Sequence, residues 1–150
     1  MTTVPSSYYP PVAFNFRVDI LGIIGSNEGN FQEVSGLNVS LDMEEIKEGG
    51  ENRFSHRFPT RRKYENLVLK RGMITQSLLI IWARMATELF IYSTKTVVLS
   101  LLDETGFPQA VWCFANAYPI AIKTSEFKAQ ENAIVVETLE LSFDYFMRII

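Results

Sequence analysis

The feature that most constrains the fold is an alternation of apolar and polar residues that recurs along most of the chain. It is clearest at residues 12–20, where every second residue is apolar: Val12, Phe14, Phe16, Val18 and Ile20. A period of two places these side chains on one face of a β-strand, since successive strand residues point to opposite sides. Further alternating stretches follow, divided by turn residues, and predict about seven strands in antiparallel order.

One segment has a helical pattern instead. Within residues 75–89, apolar side chains recur every three or four positions and form a single stripe: Leu78, Ile81, Trp82, Met85 and Leu89. Thr75 or Ser77 can cap the first turn. Because strands dominate and do not alternate with helices, a parallel α/β fold is excluded. The sequence predicts a mainly β protein, a small antiparallel β-barrel or sandwich with one α-helix across an open end or face.

Turn residues set the predicted boundaries of the strands. A strand over residues 31–41 is interrupted at Ser35 and Gly36, where glycine indicates a bulge or a close approach of two backbones. Residues 64–69 form a short strand that ends in a turn at 70–72. Residues 103–106 form a hairpin turn, with Gly106 where a positive φ is needed. Strands are then expected over 108–115 and 120–124, and the last and longest over 132–147.

Composition narrows the class of protein. The chain has 150 residues, which fits one domain over 1–150, and its formal net charge of −3 argues against a nucleic-acid binder that works by bulk positive charge. Cys113 and His56 are the single cysteine and the single histidine, so no intrachain disulfide and no Cys/His zinc cluster is expected. Glycine-rich phosphate loops and a nucleophile elbow are absent from the sequence. We therefore expect no catalytic residue, no cofactor and no bound metal.

The chain also lacks the marks of a membrane or secretory segment. Its N-terminus has no basic and apolar signal pattern, and apolar runs such as residues 78–82 are too short to span a bilayer. Residues 1–11 contain paired prolines and are expected to form an extended arm. We expect cytoplasmic synthesis and assembly, with no membrane insertion by the monomer, and later incorporation into a larger particle.

The most unusual segment separates charges of opposite sign. Its first part is acidic and its second part basic, with two phenylalanines inside the basic part: Asp42, Glu44, Glu45, Glu48 and Glu51, then Arg53, Phe54, Arg57, Phe58, Arg61 and Arg62. A long loop or hairpin over 42–60 would bring the halves together, and the same segment on neighbouring copies would be equally complementary. The alternative is a solvated surface loop whose charges are incidental. Long connections inside a compact domain are usually functional.

The order of motifs along the chain resembles the tube proteins of contractile phage tails and of extracellular contractile injection systems. Seven short elements occur in order between residues 14 and 143: FNFRV at 14–18, FQEVSGL at 31–37, the acidic segment ending at 52 and followed by Pro59, LVLKRG at 67–72, Trp82, WCFANAYP at 112–119, and ETLEL at 137–141. The type VI secretion tube protein is a more distant relative of this family.

The resemblance implies a fold and a role. Family members form hexameric rings of β-barrel-like subunits, the rings stack into a hollow tube, and a contracting sheath drives the tube through a target envelope. The implied partners are further copies of the chain, a sheath protein, baseplate and tube-terminating proteins, and luminal cargo. The segment at 42–58 occupies the position of the family insertion that reaches the adjacent ring, so its charged and aromatic residues are the candidate contacts between rings or subunits.

Three alternatives to a bulk tube subunit remain open on the sequence. The apolar C-terminus at 143–150 and the Tyr/Pro-rich arm at 5–11 depart from the family pattern, and such departures fit a paralogue at the baseplate end of the tube. A monomeric small β-barrel with an apolar ligand pocket is the second alternative. An enzyme is the third, and it would need a convergent set of polar residues that the sequence does not display.

Overall fold

The computed structural model describes residues 15–22, 28–47, 49, 56–72, 77–125 and 135–150. The arm predicted over 1–11 lies outside these residues. The elements are β1 Asn15–Ile20, β2 Glu28–Phe31, β3 Glu33–Ser35, β4 Val39–Ile46, β5 His56–Tyr64, β6 Leu67–Gly72, α1 Leu78–Leu89, β7 Lys95–Leu102, β8 Pro108–Thr124, β9 Val136–Ser142 and β10 Tyr145–Arg148. The predicted class, mainly β with one α-helix, is confirmed.

The main sheet is antiparallel and curls into a half-barrel. Its strands follow the order β2-β1-β7-β8-β9-β6-β3, and β10 also pairs with β8. The two edge strands, β2 and β3, are separated in sequence by Gln32 alone, whose backbone N–H donates to the Lys70 carbonyl at 3.0 Å. The chain therefore crosses from one edge of the sheet to the other within one residue, which requires the sheet to curl until its edges approach. Strands β4 and β5 form a separate two-stranded sheet.

The core lies on the concave side of the half-barrel. Burial alternates with period two along β6 and β9, as a strand covered on one face requires. Large apolar side chains with almost no exposure fill it, among them Val18, Leu67, Leu69, Val97, Leu99, Phe114 and Leu141. Complete burial of one such side chain stabilises the fold by about 1.5–3 kcal/mol.

Four of the predicted strand boundaries are wrong. The strand expected from residue 64 begins at Leu67, because Tyr64 ends β5. Residues 70–72, expected as a turn, continue β6, where they pair with β9 from Thr138 to Val136. The break predicted within 108–124 is absent, because β8 runs through it and absorbs the irregularity at Asn116, whose φ is 51°. The long last strand is divided by a bend at Asp144 into β9 and β10, which both pair with β8. Asn116 Nδ2 donates to Asp144 Oδ2 at 2.8 Å and joins the two irregularities.

The interruption predicted at Gly36 is confirmed and has a steric cause. Gly36 has φ of +93°, and a Cβ atom placed there would lie 2.0 Å from the Asn66 carbonyl oxygen. No side chain fits between these two backbone segments. The close approach separates β3 from β4 and gives the chain a fixed exit from the half-barrel.

The helix begins at Leu78, and Ser77 is its N-cap, one of the two predicted caps. The Ser77 Oγ accepts from the Ile80 backbone N–H at 3.1 Å and from the buried Arg71 Nη2 at 2.6 Å. Arg71 also lies over the Phe31 ring, 4.6 Å from its centroid. These contacts fasten the start of the helix to the sheet.

The predicted apolar stripe of the helix does not face the core. The buried residues are Leu79, Trp82, Ala83 and Ala86, so only Trp82 is shared with the prediction. The stripe was predicted from the spacing of the large apolar side chains, and the alanines were not counted. The helix packs on β8 and buries two small alanines, whereas the other four residues of the stripe are left at the surface: Leu78, Ile81, Met85 and Leu89.

Candidate assembly surface

The acidic and basic halves of the charged segment are brought together in a hairpin. Strands β4 and β5, which we call the ribbon, pair antiparallel from Val39 opposite Tyr64 to Ile46 opposite His56. Every residue of the ribbon except the half-buried Tyr64 is exposed. The ribbon therefore projects from the half-barrel and touches it only at its base.

The register places charges of opposite sign on the same face of the ribbon. Asp42 is opposite Arg61 and Glu45 is opposite Arg57, and side chains of directly opposed residues in an antiparallel pair are neighbours. The Thr60 hydroxyl donates to the Asp42 carbonyl at 3.0 Å, beside the bulge that interrupts the pairing. This internal complementarity favours the hairpin over an open loop.

The structure describes most of the candidate contact residues. It places seven of them on the ribbon, all exposed: Asp42, Glu44, Glu45, Arg57, Phe58, Arg61 and Arg62. The other four, Glu48, Glu51, Arg53 and Phe54, lie outside the described residues. The seven described side chains thus share one projecting element, and no part of the half-barrel covers them.

The ribbon also carries apolar residues on both faces, which the sequence reasoning did not assign to contacts. Val39, Leu41 and Met43 share one face, and Ile46 and Phe58 share the other. All five are between 49% and 55% exposed. The signal for them was available, because the alternation at Val39 and Leu41 continues through Met43 into the acidic segment.

An isolated ribbon of this kind is poorly stable. Two strands alone are marginal in water, and an apolar residue row gains nothing while water covers it. Large apolar side chains on both faces are typical of a sheet that is covered on both sides. The ribbon therefore has the properties of an element whose apolar side chains become buried when another chain packs against it.

Aromatic packing fixes the base of the ribbon. The Tyr64 ring lies 5.6 Å from Phe143 and 5.2 Å from Phe146 between centroids. Phe143 in turn lies 4.8 Å from the fully buried Phe114. Asn38 Nδ2 donates to Glu65 Oε2 at 3.2 Å across the exit of the ribbon. The ribbon is therefore held in a defined direction by the core.

Two charged groups outside the ribbon have shifted pKa values. Hydrogen bonds from the Thr105 side chain and from the Phe107 backbone N–H lower the pKa of Asp103, which organises the β7–β8 turn. The hydrogen bond and charge of Glu88 raise the pKa of Arg84 on the helix. Asp103 is half-buried and Arg84 is exposed, and the partners of both are local, so they stabilise a turn and a helix face.

Two kinds of feature are absent from the described residues, a cluster of metal-ligand side chains and a membrane-spanning helix. Among them, no three side chains of His, Cys, Asp or Glu are grouped so that they could hold a metal ion. No helix in the same residues is long and apolar enough to cross a membrane. The ribbon and the exposed apolar residues of the helix remain the most distinctive surfaces.

Comparison with known proteins identifies the fold and the family. A structure of the anti-feeding prophage baseplate matches with a TM-score of 0.81 and 26% identity, over 94% of this chain and 96% of that one. A sheath–tube complex of the PVC extracellular contractile injection system matches with a TM-score of 0.78 and 26% identity, over 98% of both chains.

More distant matches show the fold alone. Hcp1 from Flavobacterium johnsoniae has a TM-score of 0.53 and 14% identity, over 91% of this chain and 95% of that one. No curated protein matches the chain significantly.

The model of the T4-like virus tail tube protein gp19 family matches residues 12–147, almost the whole chain. The chain therefore belongs to the T4-like tail tube protein family.

Proposed function

We propose that this protein is a structural subunit of the inner tube of a contractile injection particle or phage tail, and that it assembles into hexameric rings that stack into a hollow tube. The observation that carries the proposal is the ribbon, which exposes large apolar side chains on both faces among its charged residues and has no cover within the described part of its own chain. Family membership and the likeness to a tube within a sheath support it.

The ribbon provides the contacts between copies in this proposal. A ring or stack is built from heterologous contacts, in which one patch of a subunit meets a different patch of its neighbour. The seven exposed candidates, together with Glu48, Glu51, Arg53 and Phe54, form the contact segment. Its acidic strand and basic strand give such a contact a preferred direction, since opposite signs attract and like signs repel.

The proposed role is mechanical and involves no catalysis or cofactor. The partners are further copies of the chain, a sheath protein, and baseplate and tube-terminating proteins, and the lumen is available for cargo. Relatives in a sheath–tube complex and in a cap structure support these partners. The chain would be assembled in the cytoplasm and then become part of a virion or an extracellular particle.

A second candidate is a paralogue that forms the ring at the baseplate end. It is favoured by one observation, the match to a chain of the anti-feeding prophage baseplate with a TM-score of 0.81. Such a subunit would form rings that stop growing without a baseplate partner. Long tubes from the purified chain would exclude it.

Charge reversal on the ribbon tests the proposal. Glu45→Lys puts a positive charge into the acidic strand β4, opposite Arg57 of the basic strand β5. We expect fewer and shorter tubes by electron microscopy, while the circular dichroism spectrum of the variant stays unchanged. Glu104→Lys, in the exposed β7–β8 turn, makes the same change of charge away from the ribbon and is the matched control. Tubes of equal length from both variants would contradict the role of the ribbon.

A further inference from the structure

The helix has a second apolar face that the described residues cover only in part. Leu78, Ile81, Met85 and Leu89 are 36%, 51%, 39% and 63% exposed and follow one another at steps of three and four residues. They lie on one stripe along the helix, beside the face that packs on β8. This stripe, which we call the helix face, is about 16 Å long at 1.5 Å per residue.

The composition of the helix shows that exposure is unfavourable for this face. Its two charged residues, Arg84 and Glu88, are hydrogen-bonded to each other at 3.2 Å, and nearly all its other residues are apolar. A helix that is apolar around most of its circumference is normally buried on most sides. The isolated chain buries only one side.

The end of the helix carries a related conflict. Phe90 occupies the C-cap with φ of 56°, a left-handed position, and the Ile91 N–H closes the cap on the Met85 carbonyl at 2.9 Å. This position favours glycine, and a side chain there costs roughly 1–2 kcal/mol. Phe90 is 78% exposed, so the isolated chain gains little from its ring. A bulky aromatic residue at this position is explained if the ring is covered in the assembly.

We propose that the helix face receives the ribbon of a second copy of this chain. The inference rests on the proposed function, since it names the surface that meets the ribbon. A heterologous contact needs two different complementary patches, and this chain has two uncovered apolar rows of similar length. The ribbon row from Val39 to Met43 spans about 13 Å at 3.3 Å per residue, which fits within the helix face.

Charge complementarity gives the contact a direction. The last turn of the helix has no basic residue and contains Glu88, so the negative end of the helix dipole and this carboxylate have the same sign. Arg62 lies directly opposite Leu41 on the apolar face of the ribbon. Docking with Leu41 near Leu89 places the Arg62 guanidinium at the negative end of the helix dipole. The Glu88 carboxylate there is paired with Arg84 at 3.2 Å, and Arg62 of the second copy would join this pair.

Disulfide trapping tests this contact. In this docking Met43, about 7 Å along the strand from Leu41, lies beside Met85, about 6 Å along the helix from Leu89. The variant therefore carries Met43→Cys on the ribbon and Met85→Cys on the helix face, with Cys113→Ala to remove the native thiol. Because the two cysteines would meet between chains, oxidation should give a ladder of dimers, trimers and larger species on a non-reducing gel. The control pairs Met43→Cys with Glu104→Cys, and each single-cysteine variant can give dimers at most.

The outcomes separate this inference from the proposed function. A ladder for the Met43/Met85 pair, absent from the control, supports docking of the ribbon on the helix. Rings or tubes seen by electron microscopy with no ladder would overturn the docking and leave the tube function standing. A chain that stays monomeric at every concentration would contradict both.

The cap residue provides an independent readout. Phe90→Gly removes the left-handed strain and the exposed ring, so the inference expects a higher melting temperature for the unassembled chain and weaker assembly. A change of both properties in the same direction, or assembly unchanged by the substitution, would contradict the covering of Phe90.

Discussion

Substitution of Gly36 by alanine tests whether a close contact of two backbone segments fixes the point at which the ribbon leaves the half-barrel. The new Cβ would meet the Asn66 carbonyl oxygen at 2.0 Å, and Gly36 has φ of +93°. The left-handed strain costs roughly 1–2 kcal/mol. Forcing the backbone at Asn66 apart also disturbs the fully buried Leu67, an overpacking cost of about 1–3 kcal/mol. The sum predicts a loss of about 2–5 kcal/mol in the free energy of unfolding.

Two other glycines separate the contributions. Gly22 has φ of +89° and nothing within 4 Å of an added Cβ, so Gly22→Ala should cost the strain alone, about 1–2 kcal/mol. Gly49 has an open surrounding and no positive φ, so Gly49→Ala should be nearly neutral. Chemical denaturation of the unassembled variants gives the three values. An equal loss for Gly36→Ala and Gly22→Ala would refute the close approach at Asn66.

Two further predictions concern the helix cap and the β7–β8 turn. Ser77→Ala removes the acceptor of the Ile80 N–H and of the Arg71 guanidinium, so we expect the free energy of unfolding, measured by chemical denaturation, to fall by about 2–4 kcal/mol. Ser77→Thr keeps the hydroxyl and should retain most of the stability. An equal loss of stability in both variants would contradict the role of the hydroxyl. Hydrogen bonds to the ionised Asp103 lower its pKa, so its stabilising effect is complete above the usual carboxyl range and disappears as the pH falls through the lowered pKa. An NMR titration should place the Asp103 pKa below the usual aspartate value, and a value at or above it would contradict these hydrogen bonds.

The fold was predictable where burial on one face dictates the sequence. The alternation along β6 and β9 indicates strands because one face of each is covered by the core, and glycine at position 36 indicates a close approach because only glycine fits there. The buried face of the helix was predicted wrongly, because periodicity depends on the spacing of large apolar side chains. It cannot show that Ala83 and Ala86 are buried while Ile81 faces water.

The candidate site was predictable only in part. The separation of charge along 42–63 was visible in the sequence, and the structure places Asp42 opposite Arg61 in a hairpin. The apolar rows of the ribbon were not recognised as contact residues, because alternation in a strand is usually explained by the core of the same chain. Only the three-dimensional position shows that Leu41 and Met43 have no such core to enter.

The most direct test of the central claim is negative-stain electron microscopy of the purified chain over a series of concentrations. We expect six-fold rings at moderate concentration and stacked rings or tubes as the concentration rises, because contact between copies covers the ribbon. A monodisperse monomer at the highest concentration, folded by circular dichroism, would contradict it.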